Sequence, residues 1–312
     1  MKFFSNLKMG LRYAWASITL PHFVHKMRKQ KKDDEVIICL APHLGDIVYS
    51  MLYAEQYKKE NGKKICVFCA DNLIDYIKKY NFIDRIITFP RNSLNFEYVS
   101  CFPFLRYMKR KKGNFDGIIA TMPSACEFKG LNVVEIYRDY IFNVKHDVYN
   151  LYPREICEVN AIENFEQNKD KIVILNPYSF SHKTNLKLFE DIAKSLQERG
   201  YIVYTNVITK LNQKVVKGTL PFDTNIYEIY SIVDQIPLFV SVRSGILDMN
   251  CSGNGNLFAL YFKNKSKRHY FSIKYLHKNS QEYFWNSKKD NQKVVNAINM
   301  YLDEIENKNK AI

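Results

Sequence analysis

Val240-Ser241-Val242-Arg243-Ser244-Gly245-Ile246-Leu247-Asp248 is the stretch whose reading decides the fold. The apolar run Ile236 to Val240 leading into it reads as a buried parallel strand, and the apolar-periodic residues after it read as a helix. An earlier turn, Ala41-Pro42-His43-Leu44-Gly45-Asp46, has the same setting after the apolar run Val36 to Ala41. In open α/β sheets ligands bind beyond the carboxyl ends of the strands, where helix N-termini offer free N–H groups to anions. Two such strand–turn–helix sites, one per half of the chain, predict two α/β domains facing each other across a cleft. The expected occupant is a phosphate-bearing ligand.

The rest of the chain alternates in the same way. In the first half strands are expected at Val36–Ala41, Lys64–Ala70, Arg85–Phe89 and Gly117–Thr121, with helices at Ile47–Lys59, Leu73–Tyr80 and Phe96–Lys111. Glu155 to Lys171 is polar and reads as a linker or an exposed helix end. A second alternation begins at Ile172-Val173-Ile174-Leu175. It continues with a helix Leu186–Arg199 stopped by Gly200, a strand Tyr201–Asn206, a helix Ile226–Val233, a strand Leu238–Val240, a helix Leu247–Ser252 and a strand Leu257–Phe262. Asn291–Asn307 reads as a polar amphipathic tail helix that crosses back onto the first domain. The expected architecture is α/β, with two Rossmann-like doubly wound domains at 33–160 and 171–290, a basic segment at 1–32 and the tail at 291–312. A chain of 312 residues suffices for two domains, and an apolar fraction of 46% argues against global disorder.

The net charge of +14 favours anionic partners, namely nucleotide phosphates, nucleic acid or an acidic membrane surface. Basic residues cluster at Lys26 to Lys32, Arg106 to Lys112 and Lys263 to Arg268. No nucleic-acid-binding module accompanies them, so nucleic acid is not expected as a partner. The cysteines number seven, an odd count. Cys66 and Cys69 have CxxC spacing, but on a strand they fall on opposite faces, and no second CxxC completes a zinc site. Reduced structural thiols and a cytoplasmic protein follow. In the N-terminal segment the apolar run Tyr13 to Leu20 is far short of the roughly 20 residues a bilayer span needs, and Pro21 breaks the helix after it. Two readings stay open for residues 1–32: a basic interfacial helix on the anionic inner face of the cell membrane, or a helix docked on the body of the protein.

With these blocks in view, the chain resembles a GT-B glycosyltransferase, similar in layout to the ADP-heptose lipopolysaccharide heptosyltransferase family. The likeness rests on Leu44-Gly45-Asp46 after the first strand, and on Ile172-Val173-Ile174-Leu175-Asn176-Pro177-Tyr178-Ser179 followed by Lys183. A third block, Asn225-Ile226-Tyr227-Glu228-Ile229-Tyr230-Ser231-Ile232-Val233-Asp234, runs into Arg243-Ser244-Gly245. This last block resembles the family's D-S-G-x-x-H region, with Arg243 in place of the family's Asp and Asp248 in place of its His.

The resemblance implies roles residue by residue. Asp46 matches the base of an inverting transfer, while the residue by itself also reads as a helix N-cap. His43 is a second candidate base or an acceptor contact, its ordinary pKa suiting proton transfer near neutrality. On the donor side Ser244 and Gly245 offer groups at a helix N-terminus, and Arg243 or Lys183 neutralises charge on a departing diphosphate. Arg243 alternatively makes a structural ion pair, and Asp248, one turn after Ser244, can orient it. Glu228 resembles a ribose-binding residue or serves as a plain helix-dipole partner. Asn176 and Ser179 touch phosphate or shape the loop. No metal and no bound cofactor are expected, the nucleotide sugar being the substrate; D-x-D, P-loop and G-x-G-x-x-G patterns are missing. The expectation is a metal-independent sugar transferase acting on a bacterial surface glycan, such as a capsule or lipopolysaccharide, on a lipid-linked or other large acceptor. The alternatives are a nucleotide-sugar epimerase of the same fold and a non-catalytic nucleotide- or glycan-binding partner.

Overall fold

The apolar runs form the strands of two separate sheets. The computed structural model describes residues 14, 18–19, 21–41, 44–91, 114–115, 117–121, 130–145, 159–179, 185–224, 226–251, 253–262, 271–277, 279–285 and 290–310. His43, Lys183, the expected helix at 96–111 and the basic clusters at 106–112 and 263–268 lie outside them. The chain divides into two compact units, Met1–Val148 and Tyr149–Ile312.

In the first unit, residues 21–30 form helix α1, followed by β1 (Glu35–Cys39), α2 (Leu44–Asn61), β2 (Lys64–Ala70), α3 (Ile74–Ile77) and β3 (Arg85–Phe89). Then come the short β4 (Asn114–Phe115), β5 (Ile118–Ala120) and α4 (Val133–Glu135), which continues as a π-helix over Ile136–Phe142. The sheet order is β3-β2-β1-β5-β4, parallel except for the antiparallel edge pair β4–β5. Buried residues fill both faces of β1, which accounts for its unbroken apolar run. Phe23, Val24 and Met27 of α1 are buried with Cys39, Phe68 and Phe89. Of the two readings of the N-terminal segment, docking on the body therefore holds for 21–30. Arg85 fastens the end of this helix, donating from Nη2 to the Gln30 carbonyl at 2.9 Å and pairing with the buried Glu35. Among the described residues no helix is long and apolar enough to cross a membrane.

The second unit contains α5 (Phe165–Asn168), β6 (Ile172–Asn176), α6 (Leu186–Glu198), β7 (Ile202–Asn206), β8 (Leu220–Phe222) and α7 (Ile226–Val233). These are followed by β9 (Leu238–Val242), α8 (Gly245–Asn250), β10 (Leu257–Phe262), β11 (Ser280–Trp285) and α9 (Asn291–Lys310). All strands are parallel, in the order β11-β10-β9-β6-β7-β8. Counted within the unit, this is the dinucleotide-fold order 3-2-1-4-5-6. The polar stretch expected as a linker belongs to this unit, since Ile162 and Phe165 bury their side chains in it. The tail helix, expected to cross back to the first domain, buries Val294, Val295, Ile298, Leu302 and Ile305 in the second unit's own core. Arg199 secures it with ion pairs to Asp303 (2.7 Å) and Glu306 (2.8 Å). Helix α6 ends where Gly200 takes φ +87°, a conformation that glycine adopts without strain.

Gly255 is fixed for a different reason. A Cβ there would lie 2.2 Å from the Val233 carbonyl oxygen, and the Gly255 N–H donates to Asp234 at 3.0 Å. Neither backbone can retreat cheaply. Gly255→Ala should lower stability by about 1–3 kcal/mol, read as a fall in denaturant midpoint at unchanged slope.

Candidate functional site

The strand orders mark where each unit can hold a ligand. In an open α/β sheet the crevice opens at the carboxyl end, between the two strands where the order reverses. In the second unit these are β6 and β9, and the register pairs Asn176 with Ser241 across that point. Asn176 is 1% exposed. Its amide donates to Ser241 Oγ at 2.8 Å and to Ser244 Oγ at 3.1 Å, and its Oδ1 accepts from Asn206 Nδ2 at 2.9 Å. Ser244 caps α8, accepting the Leu247 N–H at 3.2 Å. Both Ser244 lone pairs are thus engaged, which leaves its O–H to donate. Gly245 opens α8, where the first N–H groups have no intrahelical acceptor.

Beside this network stands Arg243. Its Nη1 lies 2.6 Å from Oδ2 of Asp248, whose side chain is 1% exposed, and its guanidinium sits 4.5 Å over the Phe271 ring. Phe271 is held in turn, because its carbonyl accepts the Tyr261 hydroxyl at 2.9 Å. Burial pushes the Tyr261 phenol well up, so it remains a donor. The pair and the ring together fix the plane of the guanidinium. Ser179 is half-buried, beyond the end of β6. Glu228 is drawn into a different environment: Oε1 accepts the Asn160 and Ala161 N–H groups, each at 2.6 Å, and Oε2 accepts the Thr224 hydroxyl. Its carboxylate organises the backbone that enters the second unit.

In the first unit the order reverses between β1 and β5. Thr121, just past β5, bridges their ends: its Oγ1 accepts the Ala41 N–H at 3.0 Å and donates to the Cys39 carbonyl at 3.1 Å. Helix α2 starts at Leu44, so Asp46 lies two residues inside the first turn, and the N-cap reading gives way to a first-turn acid. Tyr137, fully buried in the π-helix, donates to Asp46 Oδ1 at 3.1 Å and also reaches the Thr121 carbonyl. Its ring packs on Tyr49 of α2, with centroids 5.5 Å apart, which sets its height over Asp46. π-helical turns often accompany functional sites, because the wider turn re-aims a side chain.

Four residues of these two clusters escaped the sequence reading: Thr121, Tyr137, Asn206 and Ser241. A signal existed for Asn206, since β6 and β7 both end in Asn. Ser241 likewise is a polar residue inside an apolar strand. The described cysteines Cys39, Cys66, Cys69 and Cys251 are buried. Burial pushes the Cys66 and Cys69 thiols up to about 12, which removes them as nucleophiles near neutrality.

Comparison with solved structures bears on the architecture. A glycosyl transferase family 9 protein from Veillonella parvula superposes with a TM-score of 0.61 at 14% identity, covering 86% of this chain and 97% of that one. The E. coli ADP-heptose lipopolysaccharide heptosyltransferase II gives a TM-score of 0.56 at 12% identity, covering 87% and 99%. An E. coli heptosyltransferase solved with ADP gives 0.55 at 10%, again covering 87% and 99%. The fold is GT-B. No family model matches the sequence, and no curated protein matches it. The GT-B likeness spans both units, and each by itself has a polar cluster among its described residues at the carboxyl end of its sheet.

Proposed function

We propose that the protein is a glycosyltransferase that moves a sugar from a nucleotide-sugar donor to a glycan acceptor. The observation that carries this reading is the cluster at the β6–β9 reversal, where Asn176 holds the Ser244 hydroxyl as a donor beside the oriented Arg243 guanidinium. Arg suits phosphate because its planar fork binds two oxygens at once. The solved structures it resembles include one with ADP, which supports a nucleoside diphosphate as a ligand.

The reaction proposed is a single displacement with inversion. Asp46 takes the proton from the acceptor hydroxyl as its oxygen bonds to the anomeric carbon. The bond from that carbon to the diphosphate oxygen breaks, and the leaving diphosphate keeps the electron pair. Ser244 O–H, the Gly245 N–H and Arg243 stabilise the charge that develops there, with Lys183 as a further cation and Ser179 and Asn176 shaping the turn. These groups supply the positive field without a metal. Tyr137 keeps the Asp46 carboxylate pointed and donates to its ionised form. By likeness to the lipopolysaccharide heptosyltransferases, the acceptor is a bacterial surface glycan.

A thermal-shift series with ADP, UDP, GDP and CDP tests the donor half. A ligand that binds only the folded protein at 100 times its Kd adds about 2.7 kcal/mol of stability. That corresponds to a rise of about 5–10 °C for a unit of this size. If none of the four moves the transition, the donor-site reading fails.

A further inference from the structure

Large apolar side chains exposed several to one short segment call for something to cover them in use. Between residues 208 and 220 four are exposed: Ile208 is 37% exposed, Leu211 49%, Val215 39% and Leu220 49%. Lys210, Lys214 and Lys217 alternate with them, all exposed, and the segment contains no acidic residue. The backbone that carries them is well anchored. Val216 is buried, and its N–H donates to Thr205 Oγ1 at 3.2 Å. The Gly218 carbonyl accepts Gln197 Nε2 at 2.6 Å, and the Lys214 carbonyl accepts the Tyr178 hydroxyl. The apolar groups are therefore displayed by a fixed segment of the second unit.

We propose that residues 208–220 dock this unit on an anionic phospholipid surface. Alternation of apolar and cationic side chains fits that partner: Leu211, Val215 and Leu220 enter the acyl boundary while the lysines meet headgroup phosphates. The segment ends in β8, an edge strand of the sheet, where Pro221 has no N–H to offer an added strand. Pairing with another chain through this edge is thereby disfavoured. The inference stands apart from the sugar-transfer reading, and its test needs no substrate.

Cosedimentation of the full chain with vesicles of phosphatidylglycerol and phosphatidylcholine, against phosphatidylcholine alone, gives the readout. The wild type is expected to follow the anionic vesicles, with a fraction that resists added salt. Leu211→Asp/Val215→Asp should reduce the partition at least ~10-fold, since it replaces inserted carbon with charge at two exposed positions. Lys210→Glu/Lys214→Glu, which leaves the apolar groups intact, should abolish the preference for anionic vesicles. A wild type that stays in the supernatant overturns the proposal. So do variants that bind as the wild type does, because another surface, such as the basic N-terminal segment, then carries the binding. A wild-type dimer that Leu211→Asp/Val215→Asp converts to monomer in the ultracentrifuge overturns it too, a second copy being the true cover.

Discussion

Asp46→Asn is expected to fold, to bind nucleoside diphosphate as the wild type does, and to lose about 10²–10⁴-fold in turnover. The carboxylate sits in the first turn of α2, half-buried, with Tyr137 donating to Oδ1 at 3.1 Å. Asparagine keeps the size of the side chain and an oxygen that accepts the Tyr137 proton, but it takes no proton from an acceptor hydroxyl at neutral pH. Were the residue only a partner for the helix dipole, the substitution would cost about 0.3–1 kcal/mol of stability and leave turnover nearly unchanged. Release of nucleoside diphosphate from a nucleotide sugar carrying the base picked out by the thermal series, measured at saturating acceptor, separates the two cases. A fully active Asp46→Asn protein would end the assignment and make His43 the next residue to substitute.

The parts of this molecule that the sequence disclosed are those whose cause is local. β1, β6, β9 and β10 lie inside parallel sheets with both faces covered, so each is dominated by apolar residues. The two edge strands of the second sheet, β11 and β8, were illegible because they lack that cover. Ser280-Gln281-Glu282-Tyr283-Phe284-Trp285 is mostly half-exposed, and Leu220-Pro221-Phe222 contains a proline that only an edge accepts. The polar stretch before β6 looked like a linker because its two anchors, Ile162 and Phe165, are isolated among polar residues. Its tie to Glu228 spans 67 residues of sequence. At the candidate site the turn residues were legible, because Asn176 ends an apolar strand, Arg243 and Ser244 follow one directly, and Asp46 lies in the first turn of the helix after another. Tyr137 could not. It meets Asp46 across 91 residues, and its aim comes from a π-helical turn that has no sequence period of its own.

Arg243→Ala should be the most destabilising change at the turn before α8, costing about 3–5 kcal/mol, because it removes the cation paired with the Asp248 carboxylate, a side chain that is 1% exposed. For a unit of this size the loss corresponds to a fall in Tm of roughly 6–20 °C. The same substitution should weaken nucleoside-diphosphate binding by about 1.5–3 kcal/mol, the worth of a charge-assisted hydrogen bond to phosphate. The two effects can be separated, because they arise from different partners of one guanidinium. In Arg243→Ala/Asp248→Ala the buried carboxylate is gone, so most of the lost stability should return. Diphosphate affinity should stay low, since nothing in the double variant replaces the cation. Calorimetric titration of the double variant decides the matter. Wild-type affinity there would mean that Arg243 serves Asp248 and the Phe271 ring alone, and that the charge on the leaving group is met by Ser244, the α8 N-terminus and Lys183.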